Sequence, residues 1–277
     1  MHLKSVFLLT ASLFSTTYVA AQDSIQCPQV LTSMPLKESN VVWRQDYYRE
    51  VDLHNPANAA LFTSAQQSIF QKGLFERIMR LAVEKVIPIY TYAIDGNESF
   101  SVNGQADIRD IMRNHGIYFS EENGRLSVDP EDLPSEDIKR YYVRETVVLD
   151  ASNGSFRRIP TALCPVLDKT DDFSFEQTTH YPLFWVEYAD IEQYLRDITV
   201  APSEINSAYT MSLSDYLTTP CYQGGIYKVA NVFGRTLRQI NPTDSLFAIA
   251  QQDISRRIKD VHWAIYQTTR YSYYKKQ

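Results

Sequence analysis

The chain has 277 residues, 44% of them hydrophobic and 22% charged. That is an ordinary globular balance, which excludes a disordered chain, a collagen-like repeat and a disulfide-dense mini-protein. With 27 Lys and Arg against 33 Asp and Glu the formal net charge is −6, so there is no electrostatic case for wrapping nucleic acid. Aromatic residues stand out at 13%, with 19 Tyr, 13 Phe and 3 Trp; such side chains bring large buried area to cores and interfaces.

Taken in chain order, the first element is an export signal over residues 1–21. Lys4 supplies a short positive region, and Val6 to Phe14 is an apolar stretch too short to span a bilayer. Val19-Ala20-Ala21 places small residues before the expected cleavage between Ala21 and Gln22. No lipid-accepting cysteine follows, since Cys27 comes after Ser24-Ile25-Gln26. Residues 22–40, with Pro28 and Pro35, read as an extended leader. Residues 41–277 then form one α+β region. From Val41 to Leu53 apolar and polar residues alternate, predicting a strand with one wet face. Ser64 to Gln67 fits a capping box. Phe70, Leu74, Ile78, Leu81 and Ala82 follow at helical spacing, predicting a long amphipathic helix over 65–85. The run Val86 to Ile94 predicts a strand, and Asp95-Gly96-Asn97-Glu98 a turn.

Ile108, Ile111 and Met112 share a face of a short helix around 106–114, and 121–137 is acidic loop with Pro130 and Pro134. The clearest hairpin spans about 141–166, with Asn153-Gly154 at its turn. A strand over 182–188 leads into a helix near 189–198. A short helix near 212–218 has Ser212 as its N-cap, and Ile226 to Val229 is another strand. The chain ends in a helix over about 244–268, with Leu246, Ile249, Ile254, Ile258, Val261 and Ile265 as its stripe, and a tail reaching 277. Strands and helices mix without regular βαβ alternation, which predicts an α+β fold. Its mixed or antiparallel sheet is packed by the helices near 65–85, 189–198 and 244–268.

Chemistry is scarce. His54, His115, His180 and His262 include no helical i, i+4 pair, there is no nucleophile elbow, and nine glycines include no phosphate-cradling loop. Asp171-Asp172 and the Asp95–Glu98 turn are the spots richest in groups that could bind a cation, and both read first as turns. Glu145 and Glu187 lie on predicted strands and would make an acid pair if they faced each other. No catalytic, cofactor or metal residue is assigned. Three cysteines in an exported chain leave at least one unpaired or bound to another chain. Cys164, in an apolar strand-like run, reads as a buried thiol, which leaves Cys27 and Cys221 as candidates for a bridge. The tyrosine pairs read first as ordinary packing; together they hint at a protein-binding surface. Trp43, Tyr47, Tyr271, Tyr273 and Tyr274 are its candidate residues, on an edge strand near 41–53 and on the C-terminal helix. The competing reading is a periplasmic glycan-binding module or hydrolase that uses the acidic loops.

Six segments carry a resemblance. They are Val42-Trp43-Arg44 to Asp52-Leu53, Tyr92 to Glu98, Cys164-Pro165 with Asp171-Asp172-Phe173, Tyr181 to Val186, Leu213-Ser214-Asp215-Tyr216, and Ile226-Tyr227-Lys228 with Asn231. In this order, over about 41–265, the chain resembles the GldN/PorN family of gliding motility and type IX secretion proteins of Bacteroidetes. The resemblance implies a periplasmic, non-enzymatic subunit without cofactor. It implies a ring of copies associated with an outer-membrane lipoprotein of the GldK/PorK type, coupling to an inner-membrane motor of the GldL and GldM/PorM types. Cys164 matches the family position; Cys27 and Cys221 have no counterpart in the common pattern.

Overall fold

The computed structural model describes residues 37–61, 73–94, 96, 98–152, 155–170, 178–202, 210–219 and 221–274. The expected signal sequence, most of the expected leader, the expected capping box at Ser64–Gln67 and Asp171-Asp172-Phe173 lie outside the described residues.

In chain order the elements are β1 (Val41–Asp52), α1 (Leu74–Val83), α2 (Ile108–His115), β2 (Ser120–Glu122), β3 (Arg125–Ser127), β4 (Ile138–Asp150) and β5 (Ser155–Thr170). There follow β6 (Thr178–Pro182), β7 (Val186–Glu187), α3 (Tyr188–Leu195), β8 (Thr199–Val200), β9 (Met211–Ser212), α4 (Leu213–Thr218), β10 (Gly225–Val229), α5 (Leu237–Ile240) and α6 (Asp244–Tyr274). The fold is α+β. Its main sheet runs β10-β1-β4-β5-β6, with β7 also on β5, and every pairing in it is antiparallel. The β4–β5 hairpin at its centre is the one that the Asn-Gly turn predicts, extended at both ends.

Strand alternation sends successive side chains to opposite faces, and the two faces are covered differently. On the helical face Val51, Tyr141, Val143 and Leu163 pack beneath α1, α3 and α4 with Leu74, Ile78, Ile191 and Tyr216. Further along the same face Tyr47, Val147 and Ile226 pack with Leu237 of α5 and with Phe247, Ile254 and Ile258 of α6. On the other face Tyr48, Ala162, Cys164, Trp185 and Tyr227 form an aromatic layer, joined by Tyr90, Tyr92, Phe100 and Tyr142. Residues 89–101, called the strap below, cross this second face and supply three of those rings.

Several sequence expectations are corrected. The run Val86 to Ile94 is not a strand. Tyr90 makes isolated bridges to Gln105 and Trp185, because its backbone exchanges hydrogen bonds with Trp185 while the flanking residues bond to Gly104 and Ala106. Only Ile89 to Thr91 are paired, and their partners are loop residues. α1 starts at Leu74, since Gly73 is its extended N-cap, and the chain leaves the helix through Lys85 at φ 56. The acidic loop contains the β2–β3 hairpin. The strand expected over 182–188 shrinks to β7, because Pro182 ends β6 and Tyr188 begins α3. β1 is not an edge strand: it is sandwiched between β4 and β10. On α6 the inward residues are Phe247, Ile254 and Ile258, whereas Leu246 and Ile249 are exposed.

Candidate interaction surface

The strap face is where five of the six segments that carry the family resemblance meet, while Leu213–Tyr216 packs on the helical face. Tyr48 comes from β1, Tyr92 from the strap, Cys164 from β5, Trp185 from the chain before β7, and Tyr227 from β10. A register shift in the β1–β10 pairing, where Tyr48 opposes Lys228 and Arg49 opposes Ile226, leaves Tyr227 as an extra residue. Such a bulge re-aims side chains. Here Tyr227 meets Tyr48 and Tyr142, with ring centroids 6.2 and 4.5 Å away, and Lys228 also turns toward Tyr48. Burial pushes the hydroxyls of Tyr48, Tyr92 and Tyr142 and the thiol of Cys164 well above their ordinary ranges. The rings and the thiol of the layer are therefore uncharged at neutral pH, and Cys164, free and buried, is no nucleophile.

One charge pair is sealed into this layer. Lys228 Nζ donates to Glu98 Oε2 at 2.8 Å and to the Gly96 carbonyl at 2.7 Å, and stands 4.3 Å from the centroid of the Tyr48 ring. The side chains of Lys228 and Glu98 are 3% and 4% exposed. The Tyr48 hydroxyl donates to the same carboxylate at 3.3 Å. A buried charge needs such partners, since leaving one unpaired is expensive. This pair ties the strap to β10.

The tie positions two loops. Gly96, at φ +75, packs against the loop that follows β10 so closely that a Cβ there would lie 1.9 Å from the Gly234 carbonyl oxygen. No other residue type fits that approach and that backbone conformation. Asn231 braces the second loop: its Oδ1 accepts from the N–H groups of Phe233 and Arg235, both at 3.1 Å, and its Nδ2 donates to the carbonyls of Val229 and Arg235, both at 2.8 Å. The apposed loops present Ile94, Val232 and Phe233 to solvent, 91%, 91% and 68% exposed. We call this exposed trio the knob. Exposed apolar side chains of this size are candidates for contact with a partner. The sequence reading did not single these residues out. The available signal was an apolar residue set within a turn ahead of glycine, in Ile94-Asp95-Gly96 and in Val232-Phe233-Gly234.

Beside the layer a charged row crosses four strands. Glu50 pairs with Arg140, Arg140 Nε and Nη2 donate to Asp168 at 3.2 and 3.0 Å, and His180 Nδ1 lies 2.8 Å from Asp168 Oδ1. On the helical face a second buried cluster surrounds Glu145. It accepts from Arg49 at 3.3 Å, from Arg158 and from the Tyr222 hydroxyl at 2.6 Å. Burial alone would raise the Glu145 carboxyl, but Arg158 and Arg49 override it and hold the group below its ordinary value.

The residues singled out from sequence fall as follows. Ala21, Gln22 and Cys27 lie outside the described residues. Cys221 is buried and disulfide-bonded. Tyr47 is buried and Trp43 partly buried, both beneath α6, so neither forms an open surface. Tyr271, Tyr273 and Tyr274 occupy the last turn of α6. Glu145 and Glu187 are not brought together. They sit on opposite faces of the sheet, and Glu187 accepts from the Tyr90 hydroxyl at 3.2 Å. Among the described residues no group of three or more His, Cys, Asp or Glu could hold a metal ion, and no helix is long and apolar enough to cross a membrane.

No curated protein matches the chain. A family model described as gliding motility associated protein GldN matches residues 36–267. That span contains every strand of the sheet, the strap, the Glu98–Lys228 pair and both loops of the knob, and on it the chain belongs to the GldN family.

Proposed function

We propose that the chain is a structural, non-enzymatic subunit of the type IX protein secretion and gliding machinery. It is exported to the periplasm and held at the outer membrane through a lipoprotein of the GldK/PorK type. Copies assemble into a ring that couples to an inner-membrane motor subunit of the GldM/PorM type. The observation that carries this reading is the GldN match over residues 36–267. Two others support it: the signal sequence expected to end at Ala21, and the exposed apolar residues Ile94, Val232 and Phe233 within the matched span, of the kind that protein contacts use. The hydrolase reading needs a facing carboxylate pair, and Glu145 is instead engaged by two arginines on the opposite face from Glu187.

The test is isolation of the tagged protein from membranes under mild detergent. Recovery of a high-mass complex containing an outer-membrane lipoprotein is the expected result. A monodisperse monomer without partner, in cells whose protein secretion is unaffected by deleting the gene, overturns the reading.

A further inference from the structure

We infer that Cys221 is bonded to Cys27, and that this bond turns the leader back along the length of β1, so that the mature chain begins as a covalent belt rather than a loose arm. The inference rests on the reading that the chain is exported, because an oxidising compartment forms such bonds and a reducing one does not. The pairing follows by count. The sequence holds three cysteines. Cys221 is disulfide-bonded and Cys164 is a free, buried thiol, which leaves Cys27.

Cys221 is a prepared seat for the bond. It is 6% exposed and lies in the helical-face core with Leu217 and Tyr222. Its N–H donates to the Thr219 carbonyl at 2.5 Å. The next two residues are held as well. The Tyr222 hydroxyl donates to Glu145 at 2.6 Å, and the Gln223 backbone exchanges hydrogen bonds with the Asn58 side chain at 2.7 and 2.8 Å. Asn58 belongs to the turn Pro56–Leu61, which follows the end of β1. Cys221 therefore sits at the C-terminal end of β1. A sulfur shielded in this way suits a lasting bond, since thiol exchange needs access.

Reach fixes the route. The leader joins the body at the other end of β1, where Val41 pairs with Asp150, whereas Gly225, shortly after Cys221, pairs with Glu50. From Val41 to Glu50 the strand rises about 30 Å. The chain from Cys27 to Val41 covers at most about 50 Å when fully extended, and about 21 Å as a helix. A helix is too short for the return, and an extended chain, which Pro28 and Pro35 favour, is long enough. Only residues 22–26 stay outside the closed loop. The leader is then no arm for a partner to capture, and contacts with partners fall to the folded body. Closing the loop takes two protons and two electrons from the two thiols. A disulfide of a periplasmic thiol oxidoreductase accepts them and becomes a dithiol.

The test refolds residues 22–277 with reduced and oxidised glutathione and compares the product with protein isolated from the cell envelope. Both are alkylated in denaturant and digested with trypsin without reduction. Peptide 22–37 joined to peptide 197–228, with Cys164 alkylated, is the expected result. Alkylation of both Cys27 and Cys221, or Cys27 joined to a second chain, overturns the pairing. The bond in the refolded chain but not in the cell-derived protein keeps the pairing and overturns the reading of an exported chain. Two deletions test the route, with folding followed by circular dichroism. Removing residues 29–30 leaves about 40 Å of chain and is expected to keep the bond. Removing residues 29–36 leaves about 21 Å, short of the gap even with the bond's own span of about 6 Å, and is expected to abolish it. A bond that still forms in the longer deletion overturns the return along β1. Cys27→Ser, which spares the buried Cys221, is expected to lower the melting temperature by about 5–10 °C. Reductant is expected to bring the wild type to the same value and to leave the variant unmoved. Equal melting of wild type and variant without reductant shows that no belt constrains the body, and overturns the inference.

Discussion

Single residues show where this fold commits charge. Glu98 and Lys228 are both almost fully buried and satisfy each other. Glu98→Gln leaves an ammonium without its counter-ion and is expected to cost about 3–5 kcal/mol in urea unfolding. The double change Glu98→Leu with Lys228→Met removes both charges and is expected to recover most of that loss. A double variant as unstable as the single one would show that packing, not charge pairing, dominates. Glu145 supplies a pH dependence. Its carboxyl sits below its ordinary value of 4.5 in the folded chain, so the unfolded chain binds the proton more readily. The stabilisation is therefore complete above pH 4.5 and is lost as pH falls through the lower folded value. Glu145→Gln is expected to destabilise at pH 7 and to flatten the stability curve below pH 4.5. An unchanged acid limb in that variant would count against the arginine pairing. Neither role is legible in a linear sequence, where Glu98 is one acid of a turn and Glu145 a polar residue in a strand.

At the scale of elements, α6 shows how periodicity locates a helix without choosing its inner face. The residues that dock are Phe247, Ile254 and Ile258, with Gln251 between them. The Gln251 side chain donates to the Ile226 carbonyl at 2.8 Å, on β10, and Arg238 stands 4.3 Å from the Phe247 ring. A hydropathy pattern scores Gln251 as solvent-facing and so tilts the stripe toward Leu246 and Ile249. The backbone acceptor offered by β10 turns it the other way. Ile254→Ala is thus expected to destabilise by about 1–2 kcal/mol, as befits a half-buried side chain. Leu246→Ala and Ile249→Ala should stay within about 0.5 kcal/mol, all read by thermal or urea melts. Equal effects on the two sides would contradict this docking. The same limit explains Val86 to Ile94: apolar and aromatic, it looks like a strand, but its pairing partners are single residues of other loops.

For the molecule as a whole, the aromatic surplus divides unequally. Tyr47, Tyr48, Tyr90, Tyr141, Trp185 and Tyr227 are all buried, while Phe233, Tyr118 and Tyr181 are among the large residues left exposed. Most of the described rings therefore fill two layers on one sheet, and the large apolar side chains left exposed among the described residues are mostly aliphatic. Family, fold class, the central hairpin and most helices could be read directly from the chain. They rest on local periodicity, turn chemistry and segment order, which a sequence carries explicitly. Tertiary structure alone decided that Tyr47 lies under a helix, that Glu98 meets Lys228 across 130 positions, and that Ile94 and Phe233 share one exposed knob. Those facts depend on which strands pair and in what register, and that is settled only when distant segments compete to bury the same apolar surface.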